Sequence, residues 1–179
     1  MADPGKERLR DALDLAAWRG GERTAFADLV RRRSPRLYAH ARRLTDDAET
    51  ARDILQEAWA EIWRGIVGLR DDLAFLPWAY AITTRAAARA LRRRQAGRAL
   101  AADLAVLAPR ATPPVQTEAA HVNGILARLP ASDRALLALA VLDGLSVGEL
   151  AQALHIPVGT VKSRLHTART RLRALLEGE

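Results

Sequence analysis

Residues 143–173 read DGLSVGELAQALHIPVGTVKSRLHTARTRLR, and the reading of this stretch decides the fold. A first helix starts at about Ser146, a good N-cap, with Glu149 three residues on as its capping-box partner. Val147, Leu150, Ala151 and Leu154 fall on one side of it at helical spacing. The turn is His155-Ile156, and Pro157 suits the first position of a second helix. From there Val161, Leu165, Ala168, Leu172 and Leu175 recur as a buried stripe, while Lys162, Arg164, His166, Arg169, Arg171 and Arg173 cover the other faces. No acid lies between Glu149 and Glu177. A short helix, a tight turn and a basic second helix is the arrangement that lays a recognition helix in a DNA major groove. Two packed helices with a solvated basic face also occur in proteins that never touch DNA, so the pattern alone leaves both readings open. His155 stands where such turns favour a positive-φ Gly, and His is one of the residue types that tolerates this.

Composition narrows the classes. The chain has 179 residues, a net charge of +7 and no Cys. Without Cys there is no disulfide, no thiol catalysis and no Cys-based zinc site. The four His are scattered at positions 40, 121, 155 and 166, so neither a metal site nor an enzyme is expected. No apolar run approaches the ~20 residues of a membrane span, and charges interrupt the apolar residues near the start. The expectation is a soluble, cytoplasmic protein with no cofactor and no membrane insertion.

The charge is segregated. Arg85, Arg89, Arg92, Arg93, Arg94 and Arg98 form a second acid-free basic run, whereas Asp46, Asp47, Glu49, Asp53, Glu57 and Glu61 gather in one acidic block. Several binding surfaces on one small protein are implied. Strand signals are nearly absent and the apolar periodicity is helical wherever it is clear. The predicted fold class is all-α, with helices at about 5–18, 22–33, 35–44, 47–64, 74–95, 118–128, 131–142, 146–154 and 157–176. Gly20-Gly21 breaks the first pair, and Pro35 starts or kinks the third helix. Pro109, Pro113 and Pro114 mark 96–117 as a flexible linker between two small helical domains, 1–95 and 118–179.

Two segments of the N-terminal half bear on function. In the helix from about Asp47 to Arg64, Ile54, Leu55, Ala58, Trp59, Ile62 and Trp63 make an apolar stripe, while Glu49, Asp53, Glu57 and Glu61 stand at i, i+4 intervals. Such a line of like charges destabilises an isolated helix by a few tenths of a kcal/mol per pair, and it reads as a docking surface for a basic partner. Further on, Phe75, Trp78 and Tyr80 concentrate aromatic rings just ahead of the Arg run. Phe75 and Ile82 read as core. Trp78 and Tyr80 could divide between core and a surface for unstacked bases, for which rings beside cations are suited.

These segments together resemble a bacterial RNA polymerase sigma factor of the extracytoplasmic-function type. The stretch 21–29, GERTAFADL, looks like the family's "G-D-x-x-A-F-x-x-L", and 47–57, DAETARDILQE, looks like its "D-A-E-D-L-x-Q-E" helix with an insertion-like difference. Phe75 to Arg94 follows "F-x-x-W-L-x-x-I-A-R-N … R-R-R", and 156–165, IPVGTVKSRL, is nearly the family string. The resemblance implies a two-domain transcription initiation factor, a sigma-2-like bundle and a sigma-4-like helix-turn-helix, with no catalysis of its own. Glu49, Asp53, Gln56, Glu57 and Glu61 would dock on the clamp coiled coil of the polymerase largest subunit, and the C-terminal domain on the flap of the second-largest. Arg70, Trp78, Tyr80, Arg85, Arg89, Arg92 and Arg93 would melt and hold the −10 strand. Val158, Thr160, Lys162, Ser163, Arg164, His166, Thr167 and Arg169 would read the −35 duplex. The partners implied are core RNA polymerase, promoter DNA and an anti-sigma factor, with a monomer when free. Arg85 stands where the family commonly has Asn, Arg89 where it has Asp, Val147 for a frequent aromatic and Thr167 for an Arg, which weakens any transfer of promoter sequence. The alternatives are a sigma-like decoy that sequesters an anti-sigma factor and a stand-alone dimeric helix-turn-helix regulator.

Overall fold

The computed structural model describes residues 4–45, 47–101 and 128–177. Helices α1 (Pro4–Arg19), α2 (Arg23–Leu44), α3 (Ala48–Gly65) and α4 (Phe75–Ala101) form the N-terminal half; α5 (Ala131–Val141), α6 (Val147–Leu154) and α7 (Val158–Glu177) form the C-terminal half. Short 3-10 turns at Ile66–Gly68 and Asp72–Ala74 connect α3 to α4. No strand occurs among the described residues, and no helix among them is long and apolar enough to cross a membrane. The predicted helix at 118–128 and the predicted linker beyond Ala101 lie outside the described residues except for Arg128; α4 itself continues past the expected end at 95.

α2 organises the first half. Ala25, Leu29, Arg33, Leu37 and Ala41 step by four along one buried stripe, and His40 lies beside it. The two helices expected on either side of Pro35 are therefore one. A mid-helix proline costs about 3 kcal/mol through a lost hydrogen bond and a clash with the preceding turn. Here its ring is exposed while the buried stripe runs unbroken past it, so packing on both sides outweighs the local break. The polar residue in that stripe, Arg33, is fully buried and held by α1: its Nε donates to both carboxylate oxygens of Asp11 at 2.9 Å, and its Nη1 to Glu7 Oε2 at 2.7 Å. A buried cation is tolerable only when paired and hydrogen-bonded in this way.

α3 is capped by Asp47, whose carboxylate accepts from the backbone N–H groups of Glu49 and Thr50. Hydrogen bonds from Thr50, first from its hydroxyl and then from its backbone, lower the Asp47 pKa to about 2, with Arg94 adding to the effect. Ala51, Ile54, Ala58 and Ile62 bury the inner face of α3. α4 buries Phe75, Leu76, Ala79, Tyr80, Ile82, Ala86 and Ala87. In the second half α5 is buried almost all round through Ala135, Leu136, Leu137, Ala138 and Leu139, as expected of a central helix. The two halves touch: α5 packs on α2 and α6 on α4.

Candidate nucleic-acid and polymerase interface

The helix-turn-helix forms as its sequence requires. The Ser146 hydroxyl accepts from Glu149 N–H at 3.3 Å, and Glu149 Oε2 accepts from Ser146 N–H at 2.8 Å, completing a capping box. His155 ends α6 in the left-handed region at φ 54°, and Gly144 makes the preceding turn at φ 62°. Val161, Leu165 and Ala168 are buried and hold α7 against the other two helices. Arg171 pairs with Asp133 of α5, so this cation belongs to the packing of the domain. On the opposite side Val158, Lys162, Ser163, Arg164, His166, Thr167 and Arg169 are exposed and Thr160 is half-buried. The sequence-predicted recognition residues thus lie on one helix, spread over the wide arc that Val161, Leu165 and Ala168 leave outside the core. The Ser163 hydroxyl donates to Thr160 O and the Thr167 hydroxyl to Ser163 O, both at 3.1 Å. With their protons committed to the helix, these hydroxyls offer outward lone pairs, which accept hydrogen bonds.

The N-terminal surface departs from expectation in two respects. Tyr80 is fully buried, its ring edge-on to His40 with centroids 5.1 Å apart, so it is a core residue here and not a stacking platform. The reason is its spacing from Phe75, Leu76, Ala79 and Ala87, which turns it toward α2. Arg89 and Arg93 are also not free cations. Arg89 Nε donates to Glu57 at 2.9 Å and its Nη2 pairs with Glu61, while Arg93 reaches Glu57 at 2.7 Å. α3 and α4 are neighbours, and the acidic line of one meets the basic line of the other. Arg93 and Arg89 hold the Glu57 carboxyl below its usual range against the opposing effect of burial. Glu49, Asp53 and Gln56 remain exposed on α3, and Arg70, Arg85 and Arg92 remain exposed around α4.

Trp78 is half-buried and sits against the end of α3. A Cβ at Gly65 would meet its ring at 3.1 Å, so a larger residue there would press on the indole and shift it by a few tenths of an ångström. Glu61, Arg64, Gly65, Trp78, Ile82 and Arg85 line an open groove of about 500 Å³ there. Arg19 of α1 fixes the adjoining connection, donating to Asp72 and, at 3.0 Å, to the Leu69 carbonyl. Trp63 escaped the sequence reading as a surface residue. It is 53% exposed although it packs edge-on against Phe26 at 4.8 Å, and Val67 and Leu73 are exposed along the same connection. Its place at the end of the apolar stripe, beside a Gly-bounded loop, was the available signal. Among the described residues no group of His and carboxylates could hold a metal ion.

Comparison with known proteins agrees with this layout. Residues 29–97 match the family model Sigma-70 region 2, and residues 122–172 match Sigma-70, region 4. The ECF RNA polymerase sigma factor SigM of Mycobacterium tuberculosis (strain ATCC 25618 / H37Rv) is 37% identical over 173 residues, covering 96% of this chain and 87% of SigM. SigW of Bacillus subtilis (strain 168), also an ECF RNA polymerase sigma factor, is 29% identical, covering 87% of this chain and 91% of SigW. The fold is similar to that of the sigma factor RpoE solved in complex with the anti-sigma factor NepR from Bartonella quintana, with a TM-score of 0.66, 22% identity and coverage of 85% and 96%. It is also similar to CnrH in complex with the cytosolic domain of CnrY, with a TM-score of 0.64, 25% identity and coverage of 95% and 99%. With both sigma regions present in order and a relative of this identity aligned along nearly the whole chain, the protein belongs to the extracytoplasmic-function RNA polymerase sigma factors of the sigma-70 family.

Proposed function

We propose that this sigma factor reads its promoters at two points while bound to core RNA polymerase, and performs no chemistry itself. In this reading α7 lies in the −35 major groove. Lys162, Arg164, His166 and Arg169 supply cations to phosphates and base edges, while Val158, Thr160, Ser163 and Thr167 supply shape and acceptors. Arg70, Arg85 and Arg92 attract the −10 non-template strand, and the Trp78 groove takes an unstacked base, for which an aromatic ring is worth about 1–3 kcal/mol. Arg89 and Arg93 keep a secondary place near that strand, since their first partners are Glu57 and Glu61. The clamp coiled coil of the polymerase docks on α3 through Glu49, Asp53 and Gln56, joined by Glu57 and Glu61, whose charges Arg89 and Arg93 partly offset. The C-terminal half sits on the flap of the second-largest subunit. Residues 1–95 and 118–179 act as the two functional domains, with 96–117 threading between them.

One structural neighbour, RpoE, is a sigma factor solved in complex with an anti-sigma factor, which supports an anti-sigma partner for this chain as well. Acting with polymerase places the protein in the cytoplasm. The observation that carries the reading is α7 itself: Val161, Leu165 and Ala168 commit one side to the core, leaving Lys162, Arg164, His166 and Arg169 outward on the other. The test is binding of the purified protein to core RNA polymerase, followed by promoter binding across a salt series. One-to-one binding is expected, and ~6 phosphate contacts give a slope of log K against log salt of about −5. Binding of an anti-sigma factor without binding of core polymerase would replace this reading with that of a decoy.

A further inference from the structure

The connection between α3 and α4, residues 66–74, is fixed from within only turn by turn. Ile66 is fully buried where the connection leaves α3, and Phe75 is fully buried where α4 begins. Each 3-10 turn closes on itself. Leu69 N–H donates to the Ile66 carbonyl at 3.2 Å, Ala74 N–H to the Asp71 carbonyl at 3.1 Å, and Asp71 Oδ1 accepts from Leu73 N–H at 3.0 Å. None of these bonds joins one turn to the other. The tie comes from α1: Arg19 Nη2 donates to the Leu69 carbonyl at 3.0 Å while its Nη1 pairs with Asp72 Oδ2, so one guanidinium spans both turns. The other carboxylate oxygen of Asp72 is buried without a donor, which leaves Arg19 to offset that charge. Arg19 is itself held. It ends α1, and Trp18 beside it sits between Phe26 and Trp63, with ring centroids 5.6 and 5.7 Å away. The helix end closes by a bond from Glu22 N–H to the Ala17 carbonyl at 3.0 Å, with Gly21 at φ 102° in the turn.

The braced segment borders the Trp78 groove at both ends. It starts from Gly65 against the Trp78 ring, and it returns at Phe75, whose ring centroid is 6.2 Å from that of Trp78. Arg70 and Asp71, between the two held points, are exposed, and Arg70 makes no ion pair among the described residues. We propose that Arg19 is a positioning residue for −10 recognition: by bracing the two turns it sets where Arg70 and the backbone of residues 69–71 stand relative to the Trp78 groove, and so which base is accepted there. The inference rests on the assignment of Arg70 and that groove to the −10 strand. Arg19 touches no DNA in this role. Attraction of phosphates needs only the charge of Arg70 and tolerates a moving loop, whereas reading a base edge needs donors and acceptors at fixed places. A braced loop also avoids the entropy cost of becoming ordered on binding. Lys is an incomplete substitute, since an ammonium lacks the planar fork that reaches a carbonyl and a carboxylate together.

The test uses holoenzyme assembled from core polymerase and the full chain. The probe is a pool of fork-junction DNAs with a duplex −35 region and a single-stranded non-template −10 segment, both randomised, and the bound fraction is sequenced. The unsubstituted chain should select bases at both elements. Arg19→Ala should weaken the preference at the −10 position seated in the groove by about three- to tenfold, the scale of charge-assisted bonds partly screened by solvent. Preference at −35, affinity for core polymerase and the salt slope should stay unchanged, and Arg19→Lys should recover part of the loss. Asp72→Asn keeps the side-chain shape without the charge. It should reproduce the loss in milder form, and it serves in place of Arg19→Ala if that variant fails to fold. Amide exchange at Leu69 and Ala74 in the free chain should speed up in both variants. A lower melting temperature with base preference unmoved would show a merely structural arginine and overturn the positioning role. An even loss of affinity across all sequences, with the salt slope reduced by about one, would overturn it by making Arg19 a phosphate contact. If the unsubstituted holoenzyme selects no base at −10, the assignment of the groove to the strand fails and the role of Arg19 falls with it.

Discussion

Acidification from about pH 8 to about pH 5 should destabilise the protein through His40. This residue is completely buried on α2, with its Nε2 2.9 Å from Thr84 Oγ1. The Thr84 hydroxyl proton is already donated to the Tyr80 carbonyl at 2.9 Å, so Nε2 must carry the imidazole proton and Thr84 must accept it. Nδ1 is then a bare, buried nitrogen without a partner. A second proton there would create a charge with no acceptor facing it. Burial first, and the neighbouring Arg43 second, push the folded-state pKa down to about 3. In the unfolded chain the ring titrates near its ordinary value of about 6.5. Stability from the neutral ring is therefore complete above that value. It is lost as pH falls below it, because only the unfolded chain then takes up the proton, until the folded ring also titrates near 3. At about pH 5 the loss is 1.5 units of about 1.36 kcal/mol, or about 2 kcal/mol. Asp143 acts in the opposite direction, its carboxyl being raised chiefly by burial, and other carboxylates titrate as well. The comparison is therefore with His40→Gln, which retains an N–H for Thr84 but cannot titrate. Urea unfolding followed by tryptophan fluorescence at both pH values should show the unsubstituted chain losing about 2 kcal/mol more than the variant. Equal losses would refute the reasoning.

Three further outcomes are expected. Ser146→Ala removes the α6 capping box and should cost about 1 kcal/mol, read as faster amide exchange at the start of α6 with the rest of the chain unaffected. A double-mutant cycle on Glu57 and Arg89 should give a coupling of only about 0.5–1 kcal/mol, because both are about a third exposed and solvent screens them; a value of several kcal/mol would show a drier α3–α4 seam. Lys162→Ala should weaken binding of holoenzyme to −35 duplexes evenly across sequences and reduce the salt slope by about one, whereas a change confined to particular base pairs would assign it to base readout.

The helices and the capping box were legible because their signals are local: Ser146 with Glu149, the Val161–Leu165–Ala168 stripe, and Asp47 ahead of α3. Pro35 misled for the same reason. Its cost is local, whereas the Leu29–Arg33–Leu37 stripe that overrides it gains its stability from other helices. The site was legible by element and only partly by residue. Periodicity places Tyr80 and Trp78 on a helix rich in aromatics, but which of them faces α2 depends on packing. The pairing of Glu57 and Glu61 with Arg89 joins positions roughly thirty apart in the chain, and no spacing rule connects them. Each run read alone suggested an external partner, and part of that partner lies across the α3–α4 seam.

The central claim is that one chain reads two promoter elements on polymerase. Transcription start sites mapped genome-wide with reconstituted holoenzyme test it most directly. The account predicts a discrete set of start sites preceded by shared −10 and −35 elements, with Arg164→Ala relaxing selection at the −35 element alone. Absence of specific start sites, or a set sharing only one element and indifferent to Arg164→Ala, would contradict it.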